Sequence, residues 1–223
     1  MDTAYEPTDR TTPNRYRERA RYDRETVHRI LDEALICHLG YISAGRPVVL
    51  PTTHARLGET LYLHGSTGSG PMLAAKAGEG LPVCVTVTLI DALVLARSAL
   101  HHSLAYRSAV VVGDARLVED PAEKLQALHC LLDHVASGRA ADCRTPNARE
   151  LAMTGVLALD LVEVSAKVRD GGVADDPEDL GLPYWAGTVP LSVTAGTPVP
   201  ADDLNPEILV PSYLKSYSRY SNR

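Results

Sequence analysis

Between Cys37 and His64 the chain offers three short β-prone runs separated by turns too short to hold a helix. Cys37-His38-Leu39-Gly40-Tyr41-Ile42-Ser43 ends at Ala44-Gly45-Arg46. Pro47-Val48-Val49-Leu50-Pro51-Thr52-Thr53-His54 ends at Arg56-Leu57-Gly58-Glu59, and Thr60-Leu61-Tyr62-Leu63-His64 follows. Parallel neighbours need a crossover of a dozen or more residues, whereas these connections fit hairpins. The spacing therefore predicts an antiparallel meander, and a chain built on one closes into a sheet or a small barrel.

The remaining segments extend that pattern. Strands are expected over Pro82–Thr88, Asp91–Ala96, Ser108–Val118 and Gly155–Ser165, each with β-branched or alternating apolar residues. Helices are expected at about 24–35, where Asp23 is the N-cap and Val27, Ile30, Leu31, Ala34 and Leu35 recur at helical spacing. Three more are expected: 71–78, opened by Pro71 and closed by Gly78; the run after Asp120-Pro121, with Leu125, Leu128, Leu131, Leu132 and Val135 on one face; and about 146–153. The fold class is mainly β with flanking helices (α+β). Residues 23–170 form the barrel domain, residues 1–22 a polar N-terminal arm, and residues 171–223 an acidic, proline-rich C-terminal arm. Neither arm has the apolar residues to form its own core, so the arms are expected to wrap a neighbouring subunit, the C-terminal one packing on the barrel or on that partner.

Charge and cysteine usage exclude several functions. A net charge of -6 argues against a partner bound by neutralising nucleic-acid phosphates. No run is apolar enough to span a bilayer, and the N-terminus does not read as a signal peptide, so a cytoplasmic protein is expected. The four cysteines are scattered with no C-x-x-C pair, which points away from a zinc ribbon or a disulfide framework; Cys84 is expected in the core.

Three segments carry candidate chemistry. In the first, a strand running through His64-Gly65-Ser66-Thr67-Gly68-Ser69-Gly70 opens a helix and exposes N–H groups and hydroxyls to an anion. In the second, Pro51-Thr52-Thr53-His54 interrupts a strand and frees backbone groups beside a planar ligand. The third, Arg97 to Ser108, brings His101, His102, Tyr106, Arg107 and Ser108 into a valine strand, with Arg97 and Arg107 as anion partners. The acidic run Asp175–Asp179 reads as a solvated turn. His54, His64, His101 and His102 fall at strand ends, where a barrel mouth would gather them. They lack the helical spacing and carboxylates of a dedicated zinc site.

In their order, these residues resemble the pyridoxamine 5′-phosphate oxidase-like FMN-binding split-barrel superfamily, on the branch that includes nitroimidazole-resistance proteins. Tyr22-Asp23-Arg24-Glu25, Pro51-Thr52-Thr53-His54 and Tyr62-Leu63-His64-Gly65-Ser66 carry the first part of the likeness. Val83–Val87, His102-Ser103, Tyr106-Arg107-Ser108, Ser165–Arg169 and Trp185-Ala186-Gly187 carry the rest. The resemblance implies a homodimer of antiparallel six-stranded split barrels with FMN in grooves at the interface. Pro51, Thr52, Thr53 and His54 would line the ring system. His64, Gly65, Ser66 and Ser69 would lie by ribityl and phosphate, and His102, Tyr106, Arg107 and Ser108 would complete the pocket. It also implies a basic residue where Gly70 stands and an asparagine where Ala105 stands, so haem b or a deazaflavin is the alternative occupant. A haem would take His54, His64, His101 or His102 as axial ligand.

The reading that follows is an FMN-dependent oxidoreductase acting on a small electron-poor molecule, with His54 and His64 as catalytic candidates. The alternatives are a haem-binding member of the same fold and a cofactor-free interaction module. No nucleic-acid or membrane partner is expected.

Overall fold

A computed structural model describes residues 3–218. The chain begins with β1 (Ala20–Arg21), α1 (Arg24–Glu33), β2 (Ile36–Ser43), β3 (Arg46–Leu57) and β4 (Thr60–Ser66). It continues with α2 (Gly70–Ala77), β5 (Leu81–Leu95), β6 (Ser103–Leu117), α3 (Pro121–Val135) and α4 (Ala148–Met153). The last elements are β7 (Thr154–Asp160), β8 (Glu163–Arg169), β9 (Gly187–Pro190) and α5 (Ser212–Lys215).

Six strands close on themselves through antiparallel pairings: β2 lies between β3 and β5, β4 between β3 and β7, and β6 joins β5 to β7. The join to β7 uses Arg116↔Ala158 and Leu117↔Leu157 alone. Before reaching it, β6 pairs on its other edge with β8, from Tyr106↔Arg169 to Val112↔Glu163. The barrel is therefore split: β8 and β1 extend it outside β6, and β9 extends it outside β5.

Strand alternation fills the interior. Along β5, Leu81, Val83, Val85, Val87 and Leu89 are buried, while their neighbours Pro82, Cys84, Thr88 and Ile90 are exposed. α1 closes one end because Asp23 accepts the Thr26 N–H at 2.8 Å as its cap, which sets Val27, Ile30 and Leu31 at full burial. Each such side chain contributes on the order of 1.5–3 kcal/mol. α3 packs on the outer side of β3 and β4, with Ala127 against Tyr62, Val156 and Ala158.

Several expectations are corrected. The two strands expected at Pro82–Thr88 and Asp91–Ala96 are one, with a bulge between Ile90 and Ala92 that absorbs Asp91 and turns its carboxylate toward Arg107. The single strand expected over Gly155–Ser165 is two. The alternation runs through a corner where the Leu161 N–H meets the Glu59 carbonyl and the Val162 N–H meets that of Asp160. Cys84 is exposed on the outer face rather than in the core. The N-terminal segment lies on its own barrel: Tyr5 is buried, its hydroxyl donating to Glu59 at 2.9 Å, and Arg10 pairs with Glu163.

Candidate functional site

The outer faces of β2, β5, β6, β8 and the first half of β3 carry no helix, and register places their side chains in rows. One row runs Pro51–His38–Thr86–Val110–Ser165 and the next Val49–Gly40–Cys84–Val112–Glu163. Residues directly opposite in an antiparallel pair share a face. Gly40 keeps the centre of this surface low, since a Cβ there would come within 3.3 Å of the Cys84 carbonyl. Large apolar residues stay exposed on the same face, Val49 at 61% and Ile42 at 59% beside Gly40 and Ile90 at 50% six residues along β5 from Cys84.

Two imidazoles stand on this face. His38 is exposed between Pro51 and Thr86. His64, at the end of β4, is also exposed, and its Nδ1 lies 3.5 Å from the Thr53 hydroxyl. Partial burial lowers its pKa, which keeps the ring neutral and its lone pair available at neutral pH. The strand geometry puts His38 and His64 roughly 12 Å apart on opposite sides of β3. Beyond His64 the chain turns through Ser66, whose hydroxyl accepts the Gly68 N–H at 3.3 Å, and Ser69 into α2. The Ser69 hydroxyl caps no N–H of α2, so the first-turn donors of Gly70 and Met72, Pro71 having none, lack a side-chain cap. A Cβ on Gly70 would come within 2.9 Å of the Tyr41 hydroxyl, so the phenol occupies the space a longer side chain would need.

The structure brings Pro51, Thr53, His64, Ser66 and Ser69 to one side of the barrel. Tyr106 and Ser108 sit on the same outer face, paired with Ile90 and Thr88. Others in the expected set are elsewhere. Thr52 pairs with the buried Cys37 and belongs to the opposite face, and Gly65, opposite Gly155, backs onto the Met72 side chain. His54 has no solvent exposure; its Nε2–H donates to the Leu31 carbonyl at 2.9 Å and its ring lies 4.9 Å from that of His134, which donates to the Ala34 carbonyl. The pair satisfies the last turn of α1, so His54 is a structural residue and not a catalytic one or an axial ligand.

Arg107 is also corrected. It points inward, 4% exposed, and its guanidinium is shared between Glu33 at 2.5 and 2.8 Å and Asp91 at 2.8 to 3.2 Å. The hydrogen bonds it donates to Glu33 hold its pKa up against burial, and both edges of the guanidinium are taken by carboxylates. The triad lines an open groove of about 980 Å³ together with Arg29, Asp170 and Leu191 of the C-terminal segment. Arg97 is likewise occupied: its backbone N–H and guanidinium bind Asp175 at 2.9 and 2.8 Å, and the Asp175 side chain is fully buried rather than solvated. His101 contacts Asp176 at 3.1 Å and the His102 Nδ1–H donates to the Ser98 carbonyl, both at the tip of the β5–β6 hairpin. Within one chain this tip is five or more residues of strand, roughly 17 Å, beyond the row that contains Ser108.

Sequence reasoning passed over His38 and Lys167. The alternation Cys37-His38-Leu39-Gly40-Tyr41 gave the signal for the first, since a polar residue out of phase with three buried ones faces outward. Among the described residues no group of three or more His, Cys, Asp or Glu could hold a bare metal ion, and no helix is long and apolar enough to cross a membrane.

Comparison with known proteins agrees with this geometry. The family model described as pyridoxamine 5′-phosphate oxidase matches residues 23–168. The flavocytochrome Anf3 from Azotobacter vinelandii is 36% identical, with a TM-score of 0.88 over 95% of this chain and 97% of its own. An FAD- and haem-binding protein from Mycobacterium smegmatis is 34% identical, with a TM-score of 0.83 over 88% and 96%. A candidate 5-nitroimidazole antibiotic resistance protein from Bacteroides thetaiotaomicron shares the fold at 24% identity and a TM-score of 0.57, over 67% and 86%. No curated protein sequence matches the chain.

Proposed function

The chain belongs to the pyridoxamine 5′-phosphate oxidase family, and from that premise we propose that it is a flavin-binding redox protein that also carries haem, with both groups held on the open sheet face where two copies of the barrel meet. One observation carries the reading. The barrel interior is filled, while the outer face keeps a shallow centre at Gly40, the hydroxyl-bearing side chains of Thr53, Ser66 and Ser69, and the exposed His38 and His64. Two relatives above one-third identity, a flavocytochrome and an FAD- and haem-binding protein, support it from outside the chain.

The residues present fit both groups. A flavin supplies the electron chemistry when bound, and the chain supplies position and hydrogen bonds. Thr53 and the neutral His64 offer polar contacts beside a flat ring, and the turn from Ser66 to Ser69 with the first-turn N–H groups of α2 suits a phosphate. For haem, the neutral imidazole of His64 and the exposed side chain of His38 are the candidate axial ligands, since His54 is enclosed. The apolar rim of Val49, Ile42 and Ile90 suits a second copy of the chain, which would exclude water from the groove.

The absorption spectrum of the purified protein, before and after incubation with FMN, FAD and haem, tests the proposal. Flavin bands and a Soret band are expected. A protein that stays colourless and takes up neither group overturns it.

A further inference from the structure

Three strand-borne arginines in and around the barrel are matched with carboxylates. Arg56 pairs with Asp32, Arg107 with Glu33 and Asp91, and Arg116 with Glu123. Two neighbouring cations on β8 are not matched in this way. Lys167 and Arg169 have no carboxylate partner among the described residues; Arg169 donates only to the Leu104 carbonyl, at 2.9 Å. Both are half-buried on the outer face, two residues apart on one strand.

Register surrounds them with hydroxyls. Thr88, Ser108 and Lys167 form one row across β5, β6 and β8, and Ile90, Tyr106 and Arg169 form the next. Opposite residues on one face lie about 5 Å apart at Cβ, so an ammonium, a guanidinium and three hydroxyls share a patch three strands wide and two rows deep, without a carboxylate in either row. Like charges this close repel unless an anion lies between them. The carboxylate nearest along β8 on the same face, Glu163, is four residues from Lys167 and already bound to Arg10.

We propose that Lys167 and Arg169, with Thr88, Ser108 and Tyr106, form an anion-binding subsite separate from the Ser66–Ser69 turn, one that takes a phosphate or carboxylate of the bound cofactor. The inference rests on the flavin–haem reading and deepens it. A ligand with several anionic groups, a flavin dinucleotide or a haem with two propionates, fits a face that carries two such subsites. Two chemistries could supply the anion, and they separate in solution.

The test titrates apoprotein with riboflavin, FAD and haem, in the wild type, Lys167→Gln/Arg169→Gln and Lys167→Arg. Loss of two charge-assisted contacts should weaken the anionic ligand by tenfold or more, with affinity largely kept in Lys167→Arg. Riboflavin, which has no phosphate, should bind both proteins alike. Weakening of FAD assigns the subsite to the flavin phosphates, and weakening of haem alone assigns it to the propionates. The FAD dissociation constant should also rise less steeply with salt in the double variant. Unchanged FAD and haem affinity in the double variant, or an equal loss for riboflavin, overturns the subsite and leaves the flavin–haem reading intact. A wild type that binds none of the three overturns both. Circular dichroism and thermal melting confirm that the variants are folded.

Discussion

Replacing Arg107 with methionine separates two roles that the sequence alone leaves merged. In the structure its guanidinium makes five hydrogen bonds, three to Asp91 and two to Glu33. Methionine fills the stem's volume but leaves two carboxylates facing each other, Glu33 with 10% of its side chain exposed and Asp91 with 26%. Removing one partner of a buried charge network costs on the order of 3–5 kcal/mol. Water reaching Asp91 screens part of this, so about 3 kcal/mol is the expected loss. At about 2–4 °C per kcal/mol for a domain of this size, that is a fall of roughly 6–12 °C in Tm. Neutralising both acids in Arg107→Met/Glu33→Gln/Asp91→Asn should recover most of it, because the repulsion goes with the charges. Calorimetry reads the stability and a flavin titration reads the site, where the folded single variant should bind within a few-fold of wild type. A variant with unchanged Tm and lost flavin binding would refute this reasoning and return Arg107 to the ligand.

The remaining predictions concern other parts of the molecule. His54→Leu should lower stability by about 1–3 kcal/mol, because the Leu31 carbonyl loses its buried donor, and should leave the haem spectrum intact; a lost Soret band in a folded protein would sink the structural role. Burial alone would raise the Asp175 pKa, but the hydrogen bonds from Arg97 outweigh it and hold the carboxyl below its ordinary 3.8. A depressed carboxylate stabilises above its unfolded pKa and loses that contribution as pH falls through the folded one. Protection of the C-terminal segment from limited proteolysis should therefore hold at pH 7, fall below about pH 4, and already be weak at pH 7 in Asp175→Asn. Val49→Glu, at an exposed apolar position of the open face, should shift light-scattering mass from two copies to one; a wild type that is already monomeric counters the shared-groove reading.

The sequence exposed the barrel more readily than the site. Loop lengths between Cys37 and His64 left an antiparallel meander as the simple solution, and the Asp23 cap and the leucine face after Pro121 placed two helices before any contact was known. Boundaries failed where tertiary contacts override periodicity, as at the Asp91 bulge and the Leu161–Val162 corner. The site was harder because chemistry was assigned by residue type. His54 and Arg107 look reactive in the sequence, yet each sits in phase with buried neighbours, His54 against the end of α1 and Arg107 between Ala105 and Ala109. Phase along the strand would have moved attention to His38 and Lys167. Partners such as Glu33, far from Arg107 in sequence, could not be read from local pattern at all.

The division of each strand into an inward and an outward set also bears on how such a chain can change. Substitutions at Val85 or Val111 disturb the packing of the whole molecule, whereas Thr86 and Val110, one step along, touch only what lies on the open surface. A lineage could therefore exchange one prosthetic group for another by altering every second residue, without renegotiating the architecture that supports it.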